Sequence, residues 1–336
     1  MTVLDPSAGE IASASTLPPG ADPATLLAIP GTAFPAGTQA VWYRGGDGRR
    51  LRAAFCPASH PIGSVVVSPG RTEHIEKYVE VVHELLDRGY SVLVHDWRGQ
   101  GLSDRLLADR LRGHAQNFDD FVKDFRILID LFDERLPHPR IALSHSMGGC
   151  LTLLAVARGE ARFDGMILSA PMLGVKTGGP PYPLARAIAW LMTHVGRSGD
   201  YVLGGASDPF SGEVETDGLT HDQARHDRTH AQLFANRELA LGNVTWGWLD
   251  SAMTAMEWLS RPSVLARITI PVTIVAAGQD RLVSTEAQSA AAARLSRGRY
   301  VEVPDALHEI LMETDALRAP FWREFDALAA SISRPA

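Results

Sequence analysis

Cysteine is nearly absent from this 336-residue chain, which has only Cys56 and Cys150, far apart and outside any metal-type spacing. A disulfide framework and a cysteine metal centre are thereby excluded, and both thiols are expected to be small buried hydrophobes in a reducing compartment. Long apolar runs are missing as well: no stretch of about 18 apolar residues occurs, so no segment is expected to span a bilayer. Positive charge is in the minority, with 32 Lys and Arg against 39 Asp and Glu. The formal net charge of −7 offers no basic footprint for a nucleic acid. Arg98-Gly99-Gln100-Gly101 is glycine-rich and follows a strand, but it lacks the Gly-x-Gly-x-x-Gly spacing and leads into no clear helix, which argues against a nucleotide cofactor. His221, His226 and His230 form the one cluster that suggests a metal. His226 and His230 share a helical face, yet no His-Glu-x-x-His arrangement is present, so neither metal nor cofactor is expected.

Residues 1–35 are rich in Ala, Pro, Ser and Gly, without a basic n-region followed by an apolar h-region. They are expected to be a flexible arm rather than a secretory signal. Beyond it, 45% apolar content over this length suffices for a substantial core. Gln39 to Arg44 and Arg49 to Phe55 flank Gly45-Gly46-Asp47-Gly48, a hairpin at a sheet edge. Strand and helix then alternate. Ile62 to Ser68 and Ser91 to Val94 read as strands. Glu76 to Arg88, with Tyr78, Val82, Leu85 and Leu86 on one face and Gly89 as its stop, reads as a helix. A second helix, Phe118 to Phe132 with Asn117 as its cap, carries a core-facing stripe of Phe118, Phe121, Phe125, Leu128 and Phe132. Such alternation predicts an α/β fold, a mostly parallel central sheet with helices on both faces. It stops between residues 172 and 262 and resumes in 263–336. The expected organisation is thus a core in two parts, 36–171 and 263–336, interrupted by an insertion that opens on Gly178 to Pro181.

Within the first part, Arg140 to Leu143 is a buried strand, Leu151 to Ala157 is helix-compatible, and Ser144-His145-Ser146-Met147-Gly148-Gly149 is the sharp turn between them. A serine at such an apex has its hydroxyl lifted clear of the sheet, and small residues must flank it. Ser146 is the candidate nucleophile, although Ser144 stands where the usual Gly-x-Ser-x-Gly pattern has its first glycine. A triad on such a fold runs Ser, acid, His. After His230 the chain has a single histidine, His308, which is the base by elimination. Thr269 to Ala277 reads as a strand with Asp280 at its tip. Arg299 to Val303 is the next, with the helix from Ser284 to Leu295 between and His308 in the loop beyond. Loops at the carboxyl ends of parallel strands share one face of the sheet, so Ser146, Asp280 and His308 should converge. Asp305 is a lesser candidate acid, too close in sequence to His308. The oxyanion donors expected are the backbone N–H of Met147, after the nucleophile, and of Arg71, in the loop Pro69 to His74.

Five stretches together resemble one family: Ser68-Pro69-Gly70-Arg71-Thr72-Glu73-His74-Ile75-Glu76-Lys77-Tyr78, Asp96 to Ser103, Ser144 to Gly149, Ala170-Pro171-Met172, and Leu307 to Glu313. They look like the serine α/β-hydrolases of the monoacylglycerol lipase and bacterial lysophospholipase group. Pro69-Gly70-Arg71, and Leu219-Thr220-His221-Asp222 with Arg225 and Arg228, lean toward the bacterial lysophospholipases. The resemblance implies an α/β-hydrolase fold with an inserted helical cap, Ser146, Asp280 and His308 as the triad, Arg71 and Met147 as oxyanion amides, and Glu313 as a brace behind them.

The insertion is then a cap over the active-site face. It holds an amphipathic piece (Leu184, Ile188, Leu191, Met192, Val195), a glycine-rich loop near Gly204-Gly205, and a helix with Trp246, Trp248, Met253, Met256 and Trp258. Its tryptophans and methionines suit an acyl-chain groove, or else pack the cap to the core. The expected activity is a serine hydrolase cleaving carboxylic esters of a lysophospholipid or monoacylglycerol through an acyl-enzyme, cytoplasmic or peripheral at the inner face of a membrane. A small-ester or thioester hydrolase, an acyltransferase and a non-catalytic ligand-binding protein are the alternatives.

Overall fold

The β-branched runs of the chain form a single sheet. The protein is described here from a computed structural model covering residues 17–29, 31–159, 161–177, 179–202, 204, 209–210 and 218–333. The strands are β1 (Asp22–Pro23), β2 (Gln39–Arg44), β3 (Arg50–Cys56), β4 (Gly63–Ser68), β5 (Tyr90–Asp96), β6 (Arg140–His145), β7 (Gly165–Ser169), β8 (Val272–Ala277) and β9 (Gly298–Val303). They lie in the order β1-β2-β3-β5-β4-β6-β7-β8-β9. The first four in that order pair antiparallel, and every pair from β5 to β9 is parallel. Strands β4 to β8 are buried along their whole length, as expected where helices cover both faces.

The crossovers are α1 (Val79–Asp87), α2 (Asp119–Phe132) and α3 (Met147–Ala157). Helix α2 starts one residue later than its sequence suggests, yet Asn117 still caps it, its Oδ1 accepting the N–H of Asp120 at 2.9 Å. Leu86, expected on the buried face of α1, is only partly buried; Val79 and Val81 take that place.

The segment from Leu17 to Pro35, expected to be a loosely attached arm, is tied down where it is described. Asp22 and Pro23 extend the sheet beyond β2, so the hairpin is not the outermost element. The Thr25 carbonyl accepts from Arg52 at 3.1 Å, and the Leu27 N–H donates to Glu76 at 3.0 Å. Composition suggested disorder, but polar groups buried in the core supply partners for this backbone. Residues 1–16 lie outside the described part.

Arg52 and Arg140 are the largest fully buried side chains among the described residues; of the two, Arg52 holds the centre of an ion cluster. It donates to Asp96 at 2.7 Å and to Glu76 at 2.8 Å, joining β3, the end of β5 and the turn that follows the Arg71 loop. Removing one member of a buried ion cluster strands the other charges in a low dielectric. Arg52→Met is expected to cost roughly 3–5 kcal/mol of unfolding free energy, measured by urea denaturation.

Between β7 and β8 the chain leaves the sheet for α4 (Tyr182–Met192), α5 (Gln223–Ala235), α6 (Trp246–Leu259) and the short α7 (Pro262–Leu265). Helix α4 docks on α6 through the small Ala185 and Ala189, both buried, and through Arg186, which pairs with Asp250 and Glu257. The apolar stripe of the amphipathic piece lies partly on the outer surface. Leu184, Leu191 and Val195 are exposed, with Trp190 beside them, while Ile188 lines a cavity. Periodicity picked out the larger residues; close helix packing selected the alanines. Gly178 and Gly205 lie outside the described residues. The core closes with α8 (Thr285–Arg294), capped by Ser284, and α9 (Asp315–Ile332).

Candidate active site

Four loops at the carboxyl ends of β4, β6, β8 and β9 meet above the sheet, as the parallel order requires. Between β6 and α3, Ser146 holds φ 49° and ψ −117°, a conformation that costs a non-glycine residue energy. Three backbone bonds hold it there. The Ser146 N–H donates to Ser169 at 3.0 Å, and its carbonyl accepts from Met172 at 2.9 Å and from Cys150 at 3.2 Å. Glycine is required beside it, because a Cβ on Gly148 would lie 2.3 Å from the Ser68 carbonyl oxygen and 2.4 Å from that of Pro69. Ser144, at the first position of the motif, is fully buried and donates to Thr152 Oγ1 of α3 at 3.0 Å. A small hydroxyl is thus absorbed by the strand-to-helix contact without opening the turn.

His308 Nε2 lies 2.9 Å from Ser146 Oγ, and its Nδ1 lies 2.6 Å from Asp280 Oδ2. All three side chains are more than nine-tenths buried. Asp280 Oδ1 accepts the N–H groups of Leu282 and Val283 at 2.8 and 3.0 Å. Burial disfavours the Asp280 charge, but His308 and these two amides outweigh it and hold the carboxyl below its ordinary value. Asp305 is exposed, and His308 Nδ1 is bonded to Asp280 instead. Such a chain can move a proton from the hydroxyl to the imidazole while the carboxylate fixes the tautomer.

Among the described residues neither Arg71 nor Met147 donates its backbone N–H to any acceptor. Met147 directly follows the serine and Arg71 lies in the loop after β4, so these two N–H groups, without a protein acceptor, are the candidates to receive an oxyanion. The loop bearing Arg71 is fixed by charges that sequence reasoning passed over. Glu73, fully enclosed, accepts from the Gly70 N–H, from Tyr78 Oη at 2.6 Å and from Lys77 at 2.9 Å. Burial opposes its ionisation, but Lys77, His145 and Tyr78 prevail and hold it at about 2. Lys77 reaches on to Glu309, beside His308, at 2.6 Å. Glu73 and Lys77 look like solvated charges in the sequence, and only tertiary packing shows them to be buried.

Glu313 is buried behind His308, accepting the N–H of Leu307 at 2.9 Å and both the N–H and Nδ1 of His221. The histidine cluster divides accordingly: His221 serves Glu313, and His226 and His230 lie with ring centroids 4.3 Å apart. Arg225 and Arg228 both grip Glu80 of α1, fastening the insertion to the core. Cys56 and Cys150 are buried and unpaired with each other, burial raising their thiols to about 11 and about 12.

Two cavities lie near these loops, neither of them lined by a triad residue. One, of about 250 Å³, is walled by Val175, Ile188, Val244, Trp246, Leu249 and Met253, and it includes Lys176, whose Nζ donates to the Asp280 carbonyl at 2.7 Å. The other, of about 430 Å³, is polar and lies between the Arg71 loop and α5.

A mainly parallel sheet with a strained serine, a histidine and a carboxylate on its carboxyl-end loops, and with a helical insertion after β7, defines a serine α/β-hydrolase. The chain belongs to the Hydrolase_4 family, described as serine aminopeptidase, S33, whose profile matches residues 59–315. It is 31% identical over 293 residues to lysophospholipase L2 of Escherichia coli K12, covering 82% of this chain and 83% of that protein. A monoacylglycerol lipase of Mycolicibacterium smegmatis is 33% identical over 143 residues, 42% of this chain and 49% of the relative. Among solved structures, a soluble variant of monoglyceride lipase from Saccharomyces cerevisiae superposes with a TM-score of 0.69 at 18% identity, over 86% of this chain and 94% of that one. The expected fold and family are borne out.

Proposed function

We propose that this chain cleaves carboxylic esters of singly acylated lipids, lysophospholipid or monoacylglycerol, through an acyl-enzyme on Ser146. The observation that carries the proposal is the unbroken line from Ser146 Oγ through His308 to Asp280, 2.9 and 2.6 Å long, beside two unpaired amides. His308 removes the serine proton as Oγ attacks the ester carbonyl. The Arg71 and Met147 amides receive the oxyanion, and His308 then protonates the departing alcohol. Water, activated by the same imidazole, releases the fatty acid. No metal or organic cofactor is needed for these steps. The names of the relatives support lipid esters as substrates, and the apolar cavity beside Asp280 has the lining an acyl chain requires. The exposed Leu184, Trp190, Leu191 and Val195 on one end of the cap would meet a lipid surface, supporting a peripheral membrane location. No described helix is long and apolar enough to cross a membrane.

The test is hydrolysis of p-nitrophenyl esters from acetate to palmitate, monoacylglycerol, lysophosphatidylcholine and an aminoacyl anilide. Long-chain esters are expected to be cleaved fastest and the anilide not at all. Activity confined to short chains would keep the triad and discard lipids as substrates.

The oxyanion assignment makes its own demand on Gly148. An alanine there must push the Ser68 and Pro69 carbonyls away, and Arg71 with them. Gly148→Ala is expected to lower kcat about 10²–10³-fold, the size of losing one oxyanion donor, in a steady-state ester assay.

A further inference from the structure

The polar cavity has no place in the acyl-transfer chemistry above, yet it begins at the same residue. Arg71 is one of its lining residues, and the backbone N–H of the same residue points to the reacting carbonyl in the proposed mechanism. Arg71 Nη1 donates to the Gly242 carbonyl at 2.7 Å, and no carboxylate among the described residues lies within ion-pair distance of its guanidinium. The guanidinium also lies 5.9 Å from the centre of the Trp248 ring, and desolvation lowers its pKa to about 10. The other cation of the cavity, Lys77, is already shared by Glu73 at 2.9 Å and Glu309 at 2.6 Å. Arg71 is therefore the uncompensated positive charge among the described lining residues. A partly buried guanidinium without an anion is costly unless a ligand provides one.

We propose that the cavity of about 430 Å³ between the Arg71 loop and α5 is a phosphate subsite, in which the Arg71 guanidinium binds the phosphodiester of a lysoglycerophospholipid. This rests on the lipid-esterase reading and deepens it. One residue then measures the substrate from both ends. Its amide meets the acyl carbonyl, and its guanidinium lies as many bonds from that amide nitrogen as the phosphorus lies from the carbonyl carbon of a 1-acyl lysophospholipid. A guanidinium suits two phosphate oxygens at once, since its N–H groups form a planar fork. The remaining volume, between Thr72, Leu219 and Thr229, receives the head-group alcohol. A monoacylglycerol places only a neutral hydroxyl there and gains neither the ion pair nor the two-oxygen contact.

The experiment compares kcat/KM for lysophosphatidylglycerol and for 1-monoacylglycerol of the same acyl chain in wild type, Arg71→Met and Arg71→Lys. Any disturbance of the oxyanion loop lowers both substrates and cancels in their ratio. In Arg71→Met the ratio is expected to fall roughly 10- to 100-fold, mostly through KM, and Arg71→Lys to recover part of it. In parallel, glycerophosphocholine and inorganic phosphate are tested as competitive inhibitors of p-nitrophenyl butyrate hydrolysis. The phosphodiester is expected to inhibit wild type and to lose its effect in Arg71→Met. A ratio unchanged in Arg71→Met overturns the proposal. So does inhibition by inorganic phosphate with no effect of the phosphodiester, which would mark a site for the free anion. Wild type that cleaves monoacylglycerol but no lysophospholipid refutes the subsite and leaves the lipase reading standing. Failure to cleave either lipid contradicts that reading instead, and failure of the phosphodiester to inhibit then decides against the subsite separately.

Discussion

Ser146→Ala is expected to reduce kcat/KM for any ester substrate by about 10⁴–10⁶, leaving only what the oxyanion donors and binding contribute. The loss should be chemical and not structural. Ser146 sits at φ 49° because its own N–H and carbonyl are held by Ser169, Met172 and Cys150, and none of these bonds involves its side chain. Alanine is as disfavoured at that angle as serine, and the surrounding bonds pin it equally. The melting temperature of the variant should therefore stay within about 2 °C of wild type, a shift that corresponds to a small fraction of a kcal/mol to about 1 kcal/mol for a chain of this size. Steady-state kinetics and a thermal melt on the same preparation check both halves.

Asp280→Asn should come next in size, with a loss in kcat of about 10⁴. The reason lies in which oxygen does what. Oδ1 is occupied by the N–H groups of Leu282 and Val283, and Oδ2 faces His308 Nδ1 at 2.6 Å. An asparagine must keep an oxygen toward the two backbone donors, so its NH₂ turns to His308. Nδ1 then has to accept, the proton moves to Nε2, and the imidazole can no longer receive the proton of Ser146. The same substitution alters stability against pH. A carboxyl whose pKa falls on folding adds stability above its ordinary value, and that stability is withdrawn as pH drops through the folded value. In Asp280→Asn this part of the acid dependence should vanish, so urea midpoints of the two proteins should converge below pH about 4.

Much of this site was legible in the residues alone. The elbow announced itself because a strained turn tolerates only small neighbours, and the structure shows the contacts that enforce it at Gly148. His308 followed from the scarcity of histidine after His230, and Asp280 from its place after a β-branched run. Helix ends were equally readable: Asn117 and Ser284 cap as expected, since a side-chain oxygen near an orphan amide is a local matter. What sequence could not show is the result of long-range burial. Arg52, Glu73 and Lys77 look like surface charges in a linear chain, and only the crossing of β3, β5 and the Arg71 loop makes them interior. The anchoring of the described part of the arm before β2 was not legible for the same reason, because its partners, Arg52 and Glu76, are distant in sequence. The docking of helix α4 was not legible either: its periodicity marks an apolar face, but Ala185, Ala189 and the ion pairs of Arg186 hold it to α6.

The central claim is that Ser146 is a nucleophile activated by His308, and a fluorophosphonate probe addresses it most directly. Such a probe reacts covalently only with an activated serine hydroxyl, so the adduct reports chemistry without any assumption about substrate. Wild-type protein, labelled and then mapped by peptide mass spectrometry, is expected to carry one probe, on Ser146, with labelling abolished in Ser146→Ala and strongly slowed in Asp280→Asn. Folded protein that remained unlabelled, or carried the probe on another serine, would contradict the account.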